Sequence, residues 1–206
     1  ITYTPSGKLG VGTVDVTLEA NEELQEEPFL SINPIGGNPL PVQLIKETET
    51  SFSGSFNVPQ SAPTGTAYAV FKATDLVGNK GTTVSSGATV FIDTRGPIVN
   101  RLVVTPSSPI KNDENSPVTI TVTLGLDEEV KEGTTPELSY LLSGVGRTEI
   151  TTSGLVEIAT EPGDGQTWQA SITLLSDAGL TEAETFSFAF TAEDELGNQG
   201  NKISCA

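Results

Sequence analysis

Two short stretches carry the side chains best suited to binding a cation. They are Asp75-Leu-Val-Gly78-Asn79 and Asp194-Glu-Leu-Gly197-Asn198. Calcium takes about six to eight oxygen ligands from carboxylates, amides and carbonyls, and an Asp followed by an Asn supplies two of them. The same spacing also makes a hairpin turn, because Asp accepts backbone hydrogen bonds and Gly takes a positive φ. On the sequence alone both interpretations stay open.

The composition narrows the classes of partner. The formal net charge is −17, from 27 acidic and 10 basic side chains, with no His. So few Lys and Arg argue against binding to nucleic acid or to anionic lipid, both of which need positive charge. Without His there is no ordinary Ser–His or Cys–His pair, so we predict no enzymatic activity. The charge favours a divalent cation such as calcium, although solubility alone would also explain it.

Alternating apolar residues predict the strands that hold these turns. Apolar residues at every second position are typical of half-buried strands, and this pattern places Val14, Val16 and Leu18 on one face of a strand. An apolar run leads into each turn, namely Tyr68, Val70 and Ala73 in the first copy and Phe186, Phe188 and Phe190 in the second. The clearest predicted strands are 11–18, 51–58, 67–74, 118–124, 138–142, 167–174 and 186–190.

The sequence therefore indicates two copies of one structural unit. The link Asp93-Thr-Arg-Gly-Pro97 interrupts the strand pattern, because Gly followed by Pro stops a strand. About seven strands per half, separated by Gly, Pro and Asn turns, predict an all-β chain of two tandem immunoglobulin-like Greek-key β-sandwich domains, with a barrel as the alternative. The predicted domains are 1–95 and 96–206, the last strand of the second being cut short. A start without Met or signal peptide predicts an excised piece.

Three further features bear on function. Trp168 aligns with Phe52 in the repeat and is in phase with Ile172, which predicts a core side chain; the alternative is a sugar-stacking platform. The single Cys, Cys205, excludes an internal disulfide, and we interpret it as incidental. One helical turn is predicted at 177–181. No apolar window is long enough to span a membrane.

The chain resembles the bacterial immunoglobulin-like (Big-type) repeats of large secreted adhesins and cell-surface proteins. The resemblance is carried by Ala73-x-Asp75-x-x-Gly78-Asn79, by Ala192-x-Asp194-x-x-Gly197-Asn198 and by the junction Ile92-Asp93-Thr-Arg-Gly-Pro97. It covers nearly the whole chain, although Arg95-Gly96 departs from the small or neutral residues usual there. It implies an extracellular or cell-surface location, and junctions that calcium often rigidifies.

Fold and resemblance together predict where a cation would bind. In an immunoglobulin-type domain, the loop after the second strand and the loop before the last strand lie at the end where the chain enters. We therefore predict an interdomain calcium site, with Asp75 and Asn79 as a further candidate pair. The predicted ligands of the interdomain site are Asp93, Asp127, Glu128, Asp194 and Asn198.

The function expected from the sequence is mechanical. We predict a non-enzymatic spacer or adhesion segment whose partners are neighbouring repeats and a host or cell-surface protein or glycan. Two alternatives stay open: a carbohydrate-binding accessory region of a secreted enzyme, and a structural module of an appendage or phage fibre.

Overall fold

The described part of the chain consists of strands and the loops that join them. The structure, a computed structural model, describes residues 1–110, 115–143, 150–152, 155–158, 166–175 and 184–204. Within these residues there are strands and no helices, so the predicted all-β class is confirmed. The described residues contain no helix that is long and apolar enough to cross a lipid bilayer. The predicted helical turn at 177–181 and Cys205 lie outside the described residues.

The chain divides into two compact units, unit 1 from Ile1 to Thr94 and unit 2 from Arg95 to Ala206. The strands of unit 1 are β1 (Thr2–Thr4), β2 (Lys8–Leu9), β3 (Gly12–Glu19), β4 (Phe29–Pro34), β5 (Leu40–Lys46), β6 (Ser51–Val58), β7 (Gly65–Thr74), β8 (Lys80–Gly81) and β9 (Thr89–Ile92). Those of unit 2 are β10 (Ile98–Thr105), β11 (Val118–Leu126), β12 (Glu137–Leu142), β13 (Ile150–Thr152), β14 (Val156–Ile158), β15 (Thr167–Leu174), β16 (Phe186–Glu193), β17 (Gln199–Gly200) and β18 (Lys202–Ile203).

In unit 1 the strands follow the order β1-β3-β6-β5-β4-β7-β9-β2, with β8 added to β7. Strand β5 pairs with both β6 and β4 and so joins the two halves of this order. Neighbouring strands are antiparallel except β2 and β9, which are parallel and pair Leu9 with Ile92. Strand β2, near the start of the unit, is therefore hydrogen-bonded to the last strand, β9.

The core of unit 1 is made by alternate residues from both halves of the strand order. Along β3 every second residue is buried, and Val14, Val16 and Leu18 are each 2% exposed, as the alternation predicted. Phe52 on β6 lies opposite Leu18 and is almost fully buried. Leu30 and Ile32 of β4 supply the facing side of the same cluster.

One detail of the predicted pattern is wrong. Tyr68 and Val70 are 49% and 42% exposed, whereas Ala67 and Ala73 of the same strand are buried. Because side chains alternate along a strand, residues 68 and 70 lie on the opposite face from residue 73. The core face of β7 is formed by small side chains and by Phe71, and an exposed apolar pair covers the other face.

Unit 2 repeats this plan in two sheets. The described strands follow the orders β14-β15-β11-β10-β18 and β13-β12-β16-β17. Its first and last described strands, β10 and β18, are again parallel, with Ile98 beside Lys202 and Val99 beside Ile203.

The core of unit 2 is separate from that of unit 1 and contains the only Trp of the protein. Trp168 lies opposite Leu124, as Phe52 lies opposite Leu18, and its side chain is only 5% exposed. The predicted core position of Trp168 is therefore confirmed, and its ring is not available as a sugar platform. Its indole N–H donates to Gln166 at 3.2 Å.

Candidate functional site

The first candidate stretch is a tight hairpin turn at the end of β7. The Asp75 carboxylate accepts hydrogen bonds from the backbone N–H groups of Val77 at 2.9 Å and Asn79 at 2.8 Å. Its second oxygen accepts the Asn79 side-chain amide at 2.7 Å. Gly78 has a φ of 93°, a conformation that glycine adopts without strain. Asp75, Gly78 and Asn79 thus each have a role inside the turn.

Burial opposes ionisation of the Asp75 carboxyl. The hydrogen bonds from the Asn79 side chain and from the backbone of Asn79, Val77 and Gly78 outweigh that effect. Together they hold the pKa of Asp75 below its ordinary value, because each donor favours the charged form. Asp75 therefore remains an anion that is bound by its own turn.

The second candidate stretch, in unit 2, has the same geometry. The Asp194 carboxylate accepts from the backbone N–H groups of Leu196 at 2.9 Å and Asn198 at 2.8 Å, and from the Asn198 amide at 2.8 Å. Gly197 has a φ of 84°. Asp194 and Asn198 are both only 4% exposed. The structure thus brings these two predicted site residues together as turn partners.

These contacts limit what the two turns can offer a cation. An ionised carboxylate has about four lone-pair positions, and at least three of them are directed at N–H donors in each turn. At most about one position on each Asp remains, so calcium would need most of its ligands from elsewhere. Turn formation is enough to explain why Asp, Gly and Asn occur at this spacing.

Asp127 is held at the beginning of unit 2. Its Oδ1 accepts the backbone N–H of Ile98 at 2.7 Å, and its Oδ2 lies 3.5 Å from the Arg95 guanidinium. The side chain is 28% exposed, so water reaches it. The next residue, Glu128, is half-buried. This loop begins directly after β11, as the sequence predicted.

The acidic loop after β11 contacts the turn that contains Asp194. The backbone N–H of Lys131 donates to the Glu193 carbonyl at 2.8 Å, and the two side chains form an ion pair. The backbone N–H of Glu132 also donates to the Glu195 carboxylate. Unit 2 therefore brings the loop carrying Asp127 and Glu128 against the turn carrying Asp194 and Asn198.

The ion pair changes the acid–base properties of both partners. The hydrogen bond from Lys131 is the main reason that the pKa of Glu193 lies below its ordinary value. The same bond, followed by the Coulombic attraction of Glu193, raises the pKa of Lys131. Both side chains are partly exposed, so solvent weakens the pairing. Sequence reasoning missed this pair because its members are far apart in the chain.

Unit 1 has the matching loop contact without the ion pair. The backbone N–H of Gln25 donates to the Thr74 carbonyl at 2.9 Å, and Leu24 forms a bridge with Asp75. Thr74 precedes Asp75 as Glu193 precedes Asp194, so the two contacts occupy the same place in the repeat. The sequence gives no signal for this contact, because a backbone hydrogen bond does not depend on the types of the two side chains.

The loop and turn of unit 1 also border a cavity of about 610 Å³. Its apolar lining includes Leu24, Phe71 and Ala73, and its polar lining includes Glu19 and Lys80. Nothing in the spacing of these residues indicated a cavity, because they come from distant strands.

Asp93 belongs to unit 1 and is 3% exposed. Its carboxylate accepts from Lys8 Nζ at 3.2 Å and from the Thr64 hydroxyl at 3.4 Å. The following residue, Thr94, is held by the same unit, since its hydroxyl donates to the Ala62 carbonyl at 2.7 Å. The last residues of unit 1 are thus fixed on that unit by several hydrogen bonds.

Comparison with known proteins identifies no family for this chain. No family model matches it, and no curated protein matches it. A tetra-tandem repeat from the extending region of a large adhesion protein is similar at a TM-score of 0.35 and 16% identity, over 95% of this chain and 47% of that one.

Two further solved structures are similar at the same low level. A chicken TCR structure has a TM-score of 0.34 and 13% identity, covering 97% of this chain and 95% of that one. A DUF4785 family protein from Legionella pneumophila has a TM-score of 0.38 and 12% identity, and the match covers 97% of this chain and 54% of that one. This chain thus spans about half the length of the adhesion-protein and Legionella structures. At these TM-scores the similarities carry no conclusion about its function.

Proposed function

We propose that this protein is a non-enzymatic pair of immunoglobulin-like Greek-key β-sandwich domains, 1–95 and 96–206. The strand order supports this proposal. In unit 1, β1-β3-β6-β5 corresponds to strands A-B-E-D of an immunoglobulin domain, and β4-β7-β9 corresponds to C-F-G. In unit 2, β10-β11-β15-β14 and β12-β16 follow the same order.

Its role, in this proposal, is that of a stalk, spacer or adhesion segment in a bacterial secreted or cell-surface protein. The observation that carries this role is the repetition of one contact plan in two units with separate cores. Each unit has the same Asp–Asn turn and the same hydrogen bond from its acidic loop to the residue before that turn. A chain built from repeated units gains length with each unit. The partners in this proposal are neighbouring repeats in the same chain and a host or cell-surface protein or glycan.

Pulling residues 1–206 from their two ends in a single-molecule experiment tests this role. We expect two discrete unfolding events, one for each unit, because each unit has its own core. An extended chain spans at most about 3.4 Å per residue, so the event of unit 2 should release the greater length. A gradual extension without discrete events would contradict the spacer function.

Within the same proposal, calcium stiffens the junction between the domains. The ligands are the sequence-predicted set: Asp93, Asp127, Glu128, Asp194 and Asn198. The donors are oxygen atoms, which calcium prefers, and the net charge of −17 favours a divalent cation. The linker supports this idea, because Asp93 is fixed on unit 1 only a few residues before Ile98, which Asp127 holds on unit 2.

Thermal unfolding with calcium or with a chelator tests this part. We expect calcium to raise the melting temperature, since a ligand present at 100 times its Kd stabilises the folded state by about 2.7 kcal/mol. Glu128→Gln should abolish the increase, whereas Glu129→Gln, at the exposed neighbouring position, should retain it. Identical melting with calcium and with chelator would rule the site out.

A further inference from the structure

The outer face of the sheet formed by β4, β7 and β9 carries a row of exposed apolar side chains, each 41–54% exposed. This row, the apolar stripe, consists of Phe29, Val70, Tyr68 and Phe91. Phe29 lies opposite Lys72, and Phe91 lies opposite Thr66. Because side chains alternate along a strand, every second residue from Thr66 to Lys72 shares one face of β7, together with the residues opposite them.

The apolar stripe runs diagonally across the three strands. Val70 and Tyr68 are second neighbours along β7, and Phe29 and Phe91 continue the line on the strands to either side. With a rise of about 3.3 Å per residue and about 4.8 Å between strands, the stripe is roughly 20 Å long. A row of this length on the open face of a sheet suits an extended ligand better than a compact one.

The fold does not require aromatic side chains at these places. Tyr68 and Ser187 stand at the same distance before the Asp of their Asp–Asn turns. Phe29 and Glu137 are also equivalent, because each pairs with the residue three places before that Asp. Unit 2 thus forms the same pair of strands with a hydroxyl and a carboxylate on this face. The rings of unit 1 therefore serve its surface and are not needed to build its sheet.

The charge of this face differs from that of the whole protein. Strands β4, β7 and β9 contain no Asp or Glu, although the protein has 27 acidic side chains. An uncharged ligand can therefore cover the stripe without burying a carboxylate, which would be costly. The net charge of −17 would repel an anionic ligand.

A polar donor is fixed beside the middle of the apolar stripe. Asn33 pairs with Tyr68, so the two side chains stand next to each other on this face. The Ser31 hydroxyl donates to Asn33 Oδ1 at 2.7 Å, which orients the amide. Among the residues that the structure describes, none accepts from Asn33 Nδ2, so its N–H donors are left for a ligand. Thr89 pairs with Tyr68 from the other side and adds an exposed hydroxyl.

The area of the apolar stripe is small for a protein partner. An aromatic side chain has roughly 200 Å² of surface, so four half-exposed apolar side chains offer about 350 Å² in total. A standard protein interface buries about 800 Å² on each partner. A second copy of this chain would also bring together two molecules of net charge −17. The area and the charge both favour a small uncharged ligand.

We propose that the apolar stripe of unit 1 binds an uncharged, extended oligosaccharide whose hydroxyl groups are equatorial. A sugar ring of this kind presents C–H groups on its two faces, and these pack on aromatic and branched side chains. Its hydroxyl groups lie around the rim, where the Asn33 amide donates to them and the Thr89 hydroxyl bonds them. This inference names the glycan partner of the proposed adhesion role and rests on that proposed function.

Cellohexaose is the probe, because it is an uncharged, extended chain of glucose rings with equatorial hydroxyl groups. In a titration of ¹⁵N-labelled residues 1–206, we expect saturable changes in the amide chemical shifts of Phe29, Tyr68 and Phe91. The amides of Glu137 and Ser187, at the equivalent places of unit 2, should not move. Absence of binding, or equal shifts in both units, would overturn the proposal.

Two substitutions of Tyr68 test the stacking surface. Tyr68→Ser introduces the residue that unit 2 carries at this place, so the strand should still form. We expect it to raise the Kd for cellohexaose about tenfold, which corresponds to about 1.4 kcal/mol, because one ring of the stripe is lost. Tyr68→Phe keeps the ring and should bind as the unaltered protein does. Equal affinity of the Ser and Phe variants would contradict the proposal.

Two further substitutions test the polar contact and the charge of the ligand. Asn33→Asp keeps an acceptor for the Ser31 hydroxyl and removes both N–H donors, so the Kd should rise at least about tenfold, the effect of one lost hydrogen bond. Lys72→Gln removes the charge beside Phe29 and should leave the Kd unchanged, because the ligand is uncharged. Unaltered binding by Asn33→Asp, or a marked loss with Lys72→Gln, would show that the proposal is wrong.

Spectra recorded without sugar identify a different occupant. The amide shift of Tyr68 should be the same at every protein concentration. A shift that changes with protein concentration would mean that a second copy covers the stripe, and it would overturn the proposal. The single-molecule pulling experiment contains no sugar, so a failure of sugar binding leaves the spacer role standing, and a failure in pulling leaves the binding result standing.

Discussion

Replacing Phe52 with alanine is expected to lower the free energy of unfolding of unit 1 by about 3–5 kcal/mol, the usual cost of truncating a buried Phe. Phe52 is 1% exposed and lies opposite Leu18 in the middle of the core. Losing the ring removes buried apolar surface and leaves a cavity that β3 and β6 cannot fill. A loss of this size is a large part of the stability of a domain with about 94 residues.

Two spectroscopic signals separate the response of the two units. Far-ultraviolet circular dichroism reports unfolding of both, whereas fluorescence reports only unit 2, because Trp168 is the one Trp in the sequence. Phe52→Ala should therefore move the circular-dichroism transition to lower denaturant and leave the fluorescence transition in place. If both transitions move together, the two cores do not unfold independently.

Replacing Asp194 with alanine is expected to cost unit 2 about 3 kcal/mol, because hydrogen bonds to a charged group contribute about 1.5–3 kcal/mol each and do not add fully. The substitution leaves three donors without their acceptor, two backbone N–H groups and the Asn198 amide. Asn198 is itself 4% exposed, so water cannot easily replace the lost carboxylate. Denaturant unfolding followed by Trp168 fluorescence measures the effect.

Asp194→Asn is the matched control for this turn. It keeps one oxygen to accept the backbone N–H groups of Leu196 and Asn198, but its amide nitrogen cannot accept from the Asn198 side chain. We expect a loss smaller than that of Asp194→Ala. Equal losses would show that the Asn198 amide contact dominates the turn, and no loss in either variant would contradict its structural role.

Much of the fold could be predicted because the relevant interactions are local. The alternation of Val14, Val16 and Leu18 is a property of one strand, and the structure buries all three. The Asp–Asn turns are equally local, since donor and acceptor are four residues apart. Trp168 was predicted to be buried because the repeat aligned it with Phe52, and this alignment compares two strands of similar sequence.

The rest required contacts between distant segments. Lys131 and Glu193 are 62 residues apart, and neither position has a pattern that marks a pair. The exposure of Tyr68 and Val70 was missed because apolar character alone does not say which face of β7 meets the core. The same limit applies to the calcium ligands, whose roles depend on how two loops and a linker come together. That site stays a prediction.

In each unit a strand near the start pairs in parallel with the last strand that the structure describes, and this pairing has a mechanical consequence. In unit 1, β2 lies near the start and β9 at the end, and the same relation holds for β10 and β18. A load applied through the chain then pulls the two strands of each pair in opposite directions along their common axis. Their hydrogen bonds resist in shear and must rupture together, whereas an antiparallel terminal pair would peel apart bond by bond. In the proposed spacer role, this arrangement would slow the unfolding of each unit under load, because the unfolding rate governs forced unfolding.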